Sequence, residues 1–481
     1  MTLAKVQLKM RPFSRQVLSG AILILLAHGM SAQNGVMTNR PTPGIQTDPA
    51  TASPSGPIVI SLDEAIRRAE QNDSIFASAV AAKGVAANDR SIARSALLPG
   101  VHYYNQYIYT ESNGARNTKD HTGNGDAFVF LPNNAIHEYV SQAIVSETLG
   151  VIGFAQLKRA DAVSAQAAAQ AEVARRGLVF TVVQLYYGVL AAAQKLQVAQ
   201  RATAEAGHFV DLTEKLEQGG EVAHADVVKA ELQLQQRQRD QENAQLLAEN
   251  SRLELGILLF ADPQTDYKLE DDLKQAPPVP DEAAVNAAAQ RNNPDIHSAM
   301  EALRAANDDI SIARSGYFPL LSLNWTYGID AAQAAFNGPL DMSLSPAVKP
   351  RNLGYSAFAT LDIPVWDWFA THDRVKQSQL RKIAARTTLN QTQKRLLANL
   401  QEFYHEAQIA WRQVASLDQS VQTATDSLRL TNLRYRAGEA TALEVVDAQN
   451  TLFLAEQAYT DGEVHYRAAL ANLQTLTGVL P

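Results

Sequence analysis

Ser91-Ile-Ala-Arg-Ser95 occurs twice in this chain of 481 residues, the second time as Ser311-Ile-Ala-Arg-Ser315. The alignment between the two copies extends beyond the motif, over residues 72–99 and 292–319. Five identical residues are a short match and need independent support. A true repeat at this distance would mean that each half of the chain builds the same structural unit.

Three further segments recur in the second half of the chain and provide that support. They keep their order and their spacing: Gly220-Glu221 recurs as Gly438-Glu439, Asp226-Val-Val as Glu444-Val-Val, and Ala230-Glu231 as Ala448-Gln449. The sequence therefore indicates a tandem duplication, with a first repeat over 58–262 and a second repeat over 281–481. The proline-rich segment 263–280 is expected to link them.

Each repeat predicts a helix followed by two strands. The helix spans about 24 residues and ends near Pro99 or Pro319, because proline disfavours helical geometry at the preceding residue. Apolar and polar residues then alternate, and the apolar ones share one strand face: Leu321, Leu323, Trp325, Tyr327 and Ile329 in the second repeat, and Val101, Tyr103, Tyr107 and Tyr109 in the first. After a polar loop (111–132 or 332–351), a second strand is expected at 136–145 or 353–361.

The predicted strands have two possible environments. Strands of about ten residues with alternating polarity and aromatic side chains suit an outer-membrane barrel, in which one face meets lipid and the other meets water. A soluble antiparallel hairpin with one solvated face gives the same alternation and is more common. The strand pattern alone favours the soluble hairpin.

Very long helices are predicted after the strands. Apolar residues recur at alternating spacings of four and three over 396–428 and over 178–199, as in a coiled coil. We expect one helix from Phe154 to about Gln218 and another from Trp368 to about Ala437, each on the order of 100 Å long. Shorter helices return over 222–260 and 441–476. A returning helix and a pre-strand helix together nearly match one long helix, so we expect them to stack end to end beside it.

The N-terminal segment, 1–57, predicts an export signal and a tether. A basic stretch, an apolar run from Val17 to Ala27 and small residues at Ser31 and Ala32 are typical of a signal peptide over 1–32. Five prolines in 33–57 indicate an extended tether. No later apolar stretch reaches the roughly 18 uninterrupted residues that a membrane-spanning helix requires, so a helical membrane protein is not expected.

Composition excludes several classes of function. The chain carries 42 Lys and Arg against 50 Asp and Glu and has no basic tract, which argues against nucleic-acid binding. It contains no cysteine, so disulfides and thiolate chemistry are absent. The ten histidines lack metal-ligand spacing, and no catalytic or nucleotide-binding motif occurs. We therefore expect no catalytic residues, no metal, no cofactor and no enzymatic activity.

The order of these signals resembles that of the outer membrane efflux protein family, the TolC-like channel-tunnels. The resemblance covers about residues 58–480. Two local segments strengthen it: Tyr435-Arg-Ala-Gly438 leading into Glu444-Val-Val-Asp447 resembles the tip of the family's second repeat, and Ile363-Pro-Val-Trp366 resembles its passage from strand to helix.

The resemblance implies a mainly α fold with a small β part, assembled as a homotrimer. Long antiparallel coiled-coil helices would form a periplasmic tunnel, and four strands per chain would give a 12-stranded barrel in the outer membrane. The arithmetic agrees, because four strands cannot close a barrel and unpaired strand edges are not tolerated in lipid. In this setting four strand aromatics are expected to face lipid: Tyr103, Tyr107, Trp325 and Tyr327.

The resemblance also implies an acidic periplasmic aperture. Glu444 and Asp447 are three residues apart and share a helix face, so three chains would supply six carboxylates. We expect such a ring to favour cations, bind divalent ions and raise its own proton affinity. The alternative is that these residues are ordinary solvated charges at a helix tip.

Further tip residues are expected to hold the closed state. Asp226 occupies the equivalent position in the first repeat, and Tyr435 lies one turn before the second tip. Many family members have a basic residue after the turn glycine, where this chain has Ala440. Any link between neighbouring hairpins would then use Arg436 or Tyr435.

The function implied is that of a passive exit duct in a tripartite efflux system. A periplasmic adaptor would dock on the helix tips at Gly220, Glu221, Gly438 and Glu439 and connect the duct to an inner-membrane transporter. Type I protein secretion through the same kind of duct is the alternative, and a periplasmic coiled-coil scaffold without a pore is a remote one. The sequence does not identify the substrate.

Overall fold

The computed structural model describes residues 58–110, 137–338 and 349–478. The predicted signal peptide, the tether, the whole of the first predicted polar loop and residues 339–348 of the second lie outside these residues. The described chain is mainly helical, with eight α-helices and six β-strands.

The first repeat contains three strands and four helices. In chain order they are β1 (Ile58–Ile60), α1 (Leu62–Asn72), α2 (Ser74–Ser95), β2 (Gly100–Tyr109), β3 (His137–Leu149), α3 (Val151–Gln218) and α4 (His224–Leu259). The predicted linker contains β4 (Tyr267–Leu269) and a 3-10 turn (Leu273–Gln275). The second repeat then has the same order of elements from its first helix onward: α5 (Glu282–Asn292), α6 (Pro294–Ser315), β5 (Leu320–Ala331), β6 (Leu353–Asp362), α7 (Ala370–Arg436) and α8 (Ala442–Thr477).

The predicted long helices and strands are confirmed. Helices α3 and α7 have 68 and 67 residues, which corresponds to about 100 Å each at 1.5 Å per residue. Their bounds differ from the sequence prediction by at most three residues, which is close to the usual uncertainty of a helix end. Helices α1 and α5 were not predicted, because each is short and lies immediately before a helix break.

The end-to-end stacking of short helices is also confirmed. Helices α2 and α4 both pack along α3, and α6 and α8 both pack along α7. At the joint in the first repeat, the Asn72 side-chain amide donates to the Leu259 carbonyl at the end of α4, over 2.8 Å. Asn292 makes the corresponding bond to Thr477 at the end of α8, at 3.5 Å. The duplication therefore extends to individual hydrogen bonds.

The main sheet has four antiparallel strands in the order β2-β3-β5-β6. Its register places Tyr103 beside Ala143 and Ala143 beside Tyr327, so these side chains lie on one face. Tyr107 and Trp325 occupy the same face, where the Trp325 and Tyr327 rings stack at 6.0 Å. The four predicted aromatics are thus brought to one apolar face. Strands β2 and β6 are the edges of this sheet.

The segment expected as a linker, 263–280, contains β4 and the 3-10 turn. Strand β4 pairs in parallel with β1, so the start of the first repeat is tied to the start of the second. The Tyr186 hydroxyl on α3 hydrogen-bonds the carbonyls of Ile60 and Glu270, at 3.1 and 2.8 Å. Burial raises the pKa of Tyr186 and raises that of Tyr267 to about 12. We call the β1–β4 pair with Tyr186 the Tyr186 brace. It lies beside the joint at which α1 and α2 meet the end of α4.

The passage from β6 to α7 has an unusual backbone. Trp368 and Phe369 have φ angles of 53° and 64°, in the left-handed region that non-glycine residues seldom adopt. The Asp367 carboxylate accepts the Thr371 backbone N–H at 2.7 Å and so caps the first turn of the helix. The Ile363-Pro-Val-Trp366 segment predicted to form this passage lies immediately before it.

One described helix, α3, is long and apolar enough to cross a membrane by length and composition, and half of its most apolar window is buried against the rest of the chain. The buried side chains include Leu178, Val182 and Tyr186. Packing inside the helical wall accounts for this apolar stretch.

Candidate functional site at the helix tips

Both long helices end in the same kind of turn. Gly220 and Gly438 have φ angles of 75° and 74°, and no atom lies within 4 Å of the position that a Cβ would take at either residue. Glycine is therefore required at both turns by the left-handed backbone conformation. Steric crowding is not the reason, because a side chain would meet no neighbouring atom. The turns are closed by the N–H of Glu221, which donates to Leu216 at 2.9 Å, and the N–H of Glu439, which donates to Arg434 at 2.8 Å.

The second turn is reinforced by a capping box. The Thr441 hydroxyl accepts the Glu444 N–H at 3.3 Å, and the Glu444 carboxylate accepts the Thr441 N–H at 3.2 Å. The first turn lacks this arrangement, because Ala223 stands at its helix cap. The two tips therefore differ in how firmly the turn is held.

Arg434 joins both sides of the second turn. Its guanidinium donates to the Glu444 carboxylate at 3.3 Å and to the Glu439 carbonyl at 3.0 Å. The sequence analysis did not identify this contact of Arg434 within the turn, and its expected link between neighbouring hairpins through Arg436 or Tyr435 stays a prediction. One feature of the sequence could have indicated this contact. Arg434 lies four residues before Gly438, and its backbone carbonyl accepts the Glu439 N–H that closes the turn. Arg436 is exposed and makes no hydrogen bond or ion pair with the described residues.

The pKa of Glu444 is lowered, first by the hydrogen bond from the Thr441 backbone and also by Arg434. The sequence argument expected crowded acids to raise the proton affinity of this group. Within one chain the shift has the opposite sign, because the cap and the arginine stabilise the charged carboxylate. Glu444 and Asp447 are both exposed at the tip, one turn apart on α8.

Tyr435 lies inward from the turn and is 4% exposed. Its ring packs on Phe209 of α3, with centroids 5.2 Å apart, and its hydroxyl lies 3.5 Å from the Thr213 hydroxyl. Burial raises the pKa of Tyr435, and the charge of Asp226 adds to that rise. Tyr435 therefore joins the two hairpins of one chain mainly by packing on Phe209.

A buried arginine lies further from the tip, between α4 and α8. Arg237 is 4% exposed, and its guanidinium stands 4.1 Å from the centre of the Phe453 ring. It hydrogen-bonds Asn450 and also Asp240, the latter at 3.0 Å. Burial lowers the pKa of Arg237. Sequence reasoning missed this contact, since a single arginine in a glutamine-rich helix looks like a solvated charge.

In the part of the chain that the structure describes, no group of three or more His, Asp and Glu side chains is placed to hold a metal ion. The turn residues Gly220, Glu221, Gly438 and Glu439 are exposed. What the site offers is an exposed, charged turn at the end of each of two long hairpins.

The chain is similar in sequence to known outer membrane proteins. Residues 286–479 match the model of the outer membrane efflux protein family. The chain is 23% identical over 425 residues to outer membrane protein TolC of Vibrio cholerae, a match that covers 87% of this chain and 91% of that protein. It is 24% identical over 305 residues to outer membrane protein OprJ of Pseudomonas aeruginosa, a match that covers 63% of this chain and 61% of OprJ.

Two further similarities bear on fold and function. The proteases secretion protein PrtF of Dickeya chrysanthemi is 25% identical over 190 residues, which is 40% of each chain. Among solved structures, the CmeC outer membrane channel of Campylobacter jejuni superposes with a TM-score of 0.71 at 17% identity, covering 87% of this chain and 85% of CmeC. This structural similarity concerns the fold alone.

Proposed function

Because the chain belongs to the outer membrane efflux protein family of TolC-like proteins, we propose that three copies form the exit duct of a tripartite efflux system. The duct conducts small molecules passively across the outer membrane, in which this protein resides, and catalyses no reaction. An inner-membrane transporter supplies the energy, and a periplasmic adaptor bound to the helix tips joins the duct to this transporter.

One observation carries the proposal. A four-stranded antiparallel sheet with one apolar, aromatic face ends in two edge strands, β2 and β6, and continues directly into helices of 68 and 67 residues. Four strands are too few to close a barrel, whereas three copies supply twelve. Closure satisfies the edge hydrogen bonds that lipid would leave unmet. The helices then extend the lumen away from the membrane.

The exposed acids at the second tip give the duct its ion selectivity. Three copies place three Glu444 and three Asp447 carboxylates around the aperture. Two charges about 6 Å apart repel by about 3 kcal/mol at an effective dielectric constant of 20. The ring therefore attracts cations and binds divalent ions, and opening moves the α7–α8 pair outward relative to α3 and α4.

Single-channel conductance in a planar bilayer tests the pore and its aperture together. Wild-type protein should give small, cation-selective currents that divalent cations block. Glu444→Ala with Asp447→Ala should remove the block, whereas the control Asp373→Ala with Asp426→Ala removes two exposed α7 acids and should keep it. No conductance from any form would refute the duct and favour a periplasmic coiled-coil scaffold.

Protein secretion is the second candidate, and the similarity to PrtF favours it. A strain that lacks the protein distinguishes the two functions. Accumulation of a fluorescent efflux substrate, with an unchanged set of secreted proteins, supports efflux. Loss of a secreted protein with normal dye export supports secretion.

Charge reversal at Glu221 and Glu439 tests adaptor docking. It should abolish transport in cells and leave single-channel conductance intact, because it changes only the surface on which the adaptor docks.

A further inference from the structure

A groove crosses the apolar face of the four-stranded sheet near the end from which the helices extend. Its volume is about 380 Å³, and β3, β5, β6 and Pro99 line it. The strand register sets two rows of side chains along it: Val145, Trp325 and Ala357, and, closer to the helices, Glu147, Leu323 and Ala359. The lining is therefore apolar except for one carboxylate. We call this feature the Glu147 groove.

Differences in side-chain size give the groove its depth. Ala357 and Ala359 are exposed and occupy successive positions on this face of β6. On β5 beside them stand the larger side chains of Trp325 and Leu323. The Trp325 ring is held parallel to the Tyr327 ring, with centroids 6.0 Å apart and planes at 4°. An acyl chain that lies over the two alanines would pack against the indole and the leucine.

Glu147 is unusual for its position. Of the residues that the four strands place on this face, it is the only Asp, Glu, Lys or Arg. It makes no hydrogen bond or ion pair with the described residues. Pro99, next to it in the lining, has no backbone N–H to donate. A charged group that faces lipid without a partner is costly, so this carboxylate calls for a partner outside the described chain.

The internal repeat shows that the fold does not require an acid here. Glu147-Thr-Leu149 at the end of β3 corresponds to Ala359-Thr-Leu361 at the end of β6. In the sheet, Glu147 and Ala359 stand on the two sides of Leu323. Both strands then lead into a long helix. The same structural position is thus filled by alanine in one repeat and by glutamate in the other.

A second copy of the chain supplies no cation to the groove through the barrel seam. Closure of the barrel places β6 of one copy beside β2 of the next. Residues 353–369, which cover β6 and the passage into α7, contain no Lys, Arg or His. The partner of Glu147 is therefore sought in the surrounding lipid.

We propose that the Glu147 groove binds a phospholipid with a primary ammonium headgroup, whose acyl chain lies over Ala357 and Ala359 and whose ammonium donates to the Glu147 carboxylate. The inference rests on the lipid-facing barrel of the proposed function. The groove lies at the end of the sheet from which the helices extend, so Glu147 is near the periplasmic headgroups, and Trp325 lies deeper in the membrane.

Headgroup chemistry gives the expected order of binding. A primary ammonium carries a positive charge and three N–H donors. Choline carries the charge and has no N–H, so it can pair with Glu147 only through its charge. Phosphatidylglycerol has a net negative charge and is repelled by the carboxylate. The groove should therefore prefer phosphatidylethanolamine to phosphatidylcholine, and phosphatidylglycerol should bind least.

Quenching of tryptophan fluorescence by brominated acyl chains measures which lipid occupies the groove. The chain has four tryptophans, so Trp366→Phe, Trp368→Phe and Trp411→Phe together leave Trp325 as the reporter. In bilayers of two lipid classes, of which one is brominated, phosphatidylethanolamine should bind beside Trp325 roughly two- to fivefold better than phosphatidylcholine, the range for an ion pair in contact with water. Trp325→Phe alone reports lipid elsewhere and should show no preference.

Three variants of the reporter protein test the role of the carboxylate. Glu147→Gln should reduce the preference to none, and Glu147→Ala, which has the side chain of the second repeat, should do the same. Asp362→Asn is the matched control, because Asp362 lies at the same end of the sheet on the opposite face, and should keep the preference.

The outcomes separate this inference from the proposed function. Equal quenching of Trp325 by all three lipid classes, or strongest quenching by phosphatidylglycerol, would overturn the lipid site and leave the duct standing. No quenching of Trp325 by any brominated lipid would refute the lipid-facing sheet itself.

Native mass spectrometry gives a readout that leaves the tryptophans unchanged. Protein released from detergent should retain phosphatidylethanolamine, and Glu147→Gln should retain less of it by the same two- to fivefold. Equal retention by the two forms would contradict the role of Glu147.

Discussion

Replacing Tyr435 tests how the tips of the two hairpins in one chain are held together. The ring is buried against Phe209, and the cluster around it includes Val210, Ala442 and Val445. Truncation of a buried aromatic residue to alanine costs about 3–5 kcal/mol. At about 1.4 kcal/mol per factor of ten, Tyr435→Ala should raise the local opening equilibrium of the tips at least about 100-fold.

Tyr435→Phe is the discriminating control. The hydroxyl of Tyr435 stands 3.5 Å from the Thr213 oxygen, at the outer limit for a hydrogen bond. Thr213 keeps its own bond to the Phe209 carbonyl at 2.7 Å in either case. Loss of the hydroxyl should therefore cost less than the roughly 0.5–1.5 kcal/mol of an ordinary hydrogen bond, which is less than about a tenfold change.

Hydrogen exchange of peptides over 430–450, followed by mass spectrometry in detergent, measures this opening without any assumption about transport. Faster exchange in Tyr435→Ala and near-normal exchange in Tyr435→Phe are expected. Equal acceleration in both variants would show that the hydroxyl holds the tips, and the packing argument would be wrong.

Other predictions concern the turns themselves. The pKa of Glu444 is lowered in the folded chain, so its stabilising contribution is complete above the ordinary value of 4.5 and is lost as the pH falls through the lowered value. Hydrogen exchange near Thr441 should therefore accelerate over that acidic range. Glu444→Gln should remove this pH dependence. Gly438→Ala and Gly220→Ala should each destabilise their turn by about 1–2 kcal/mol through backbone strain alone, as measured by hydrogen exchange. A much larger cost at either turn would show that a neighbouring atom occupies the space next to the glycine. Arg434→Lys should accelerate exchange at the second tip by less than about tenfold, since an exposed ion pair contributes about 0–1 kcal/mol, and a larger effect would mean that the guanidinium fork sets the turn.

The long elements were predictable because each shows an unbroken periodic pattern. The four-and-three spacing around Leu396 and the alternation around Trp325 both persist over enough residues to outweigh local exceptions. The internal repeat then transferred each assignment from one half to the other. The residue register of the sheet was not predicted, because a shift of two residues between neighbouring strands keeps the apolar side chains on the same face.

Short elements and tertiary polar contacts were not predictable in the same way. Strand β4 is very short and pairs with β1, which lies at the opposite end of the first repeat, so no local pattern marks it. Arg434 meets Glu444 across the turn, ten residues away, and this spacing belongs to no regular helix pattern. Arg237 is buried only because α8 covers it, which the sequence of α4 alone does not indicate.

The aligned helix breaks after Asn72 and Asn292 have a mechanical consequence. Arg175 contacts Glu70 while the adjacent Arg176 contacts Asn292, so both breaks lie at one level of the molecule. Among the described residues, α3 and α7 are the two helices that continue unbroken through that level. A bend at that level would disrupt the backbone hydrogen bonds of these two helices only, and the Tyr186 hydroxyl would oppose it through its bonds to the Ile60 and Glu270 carbonyls.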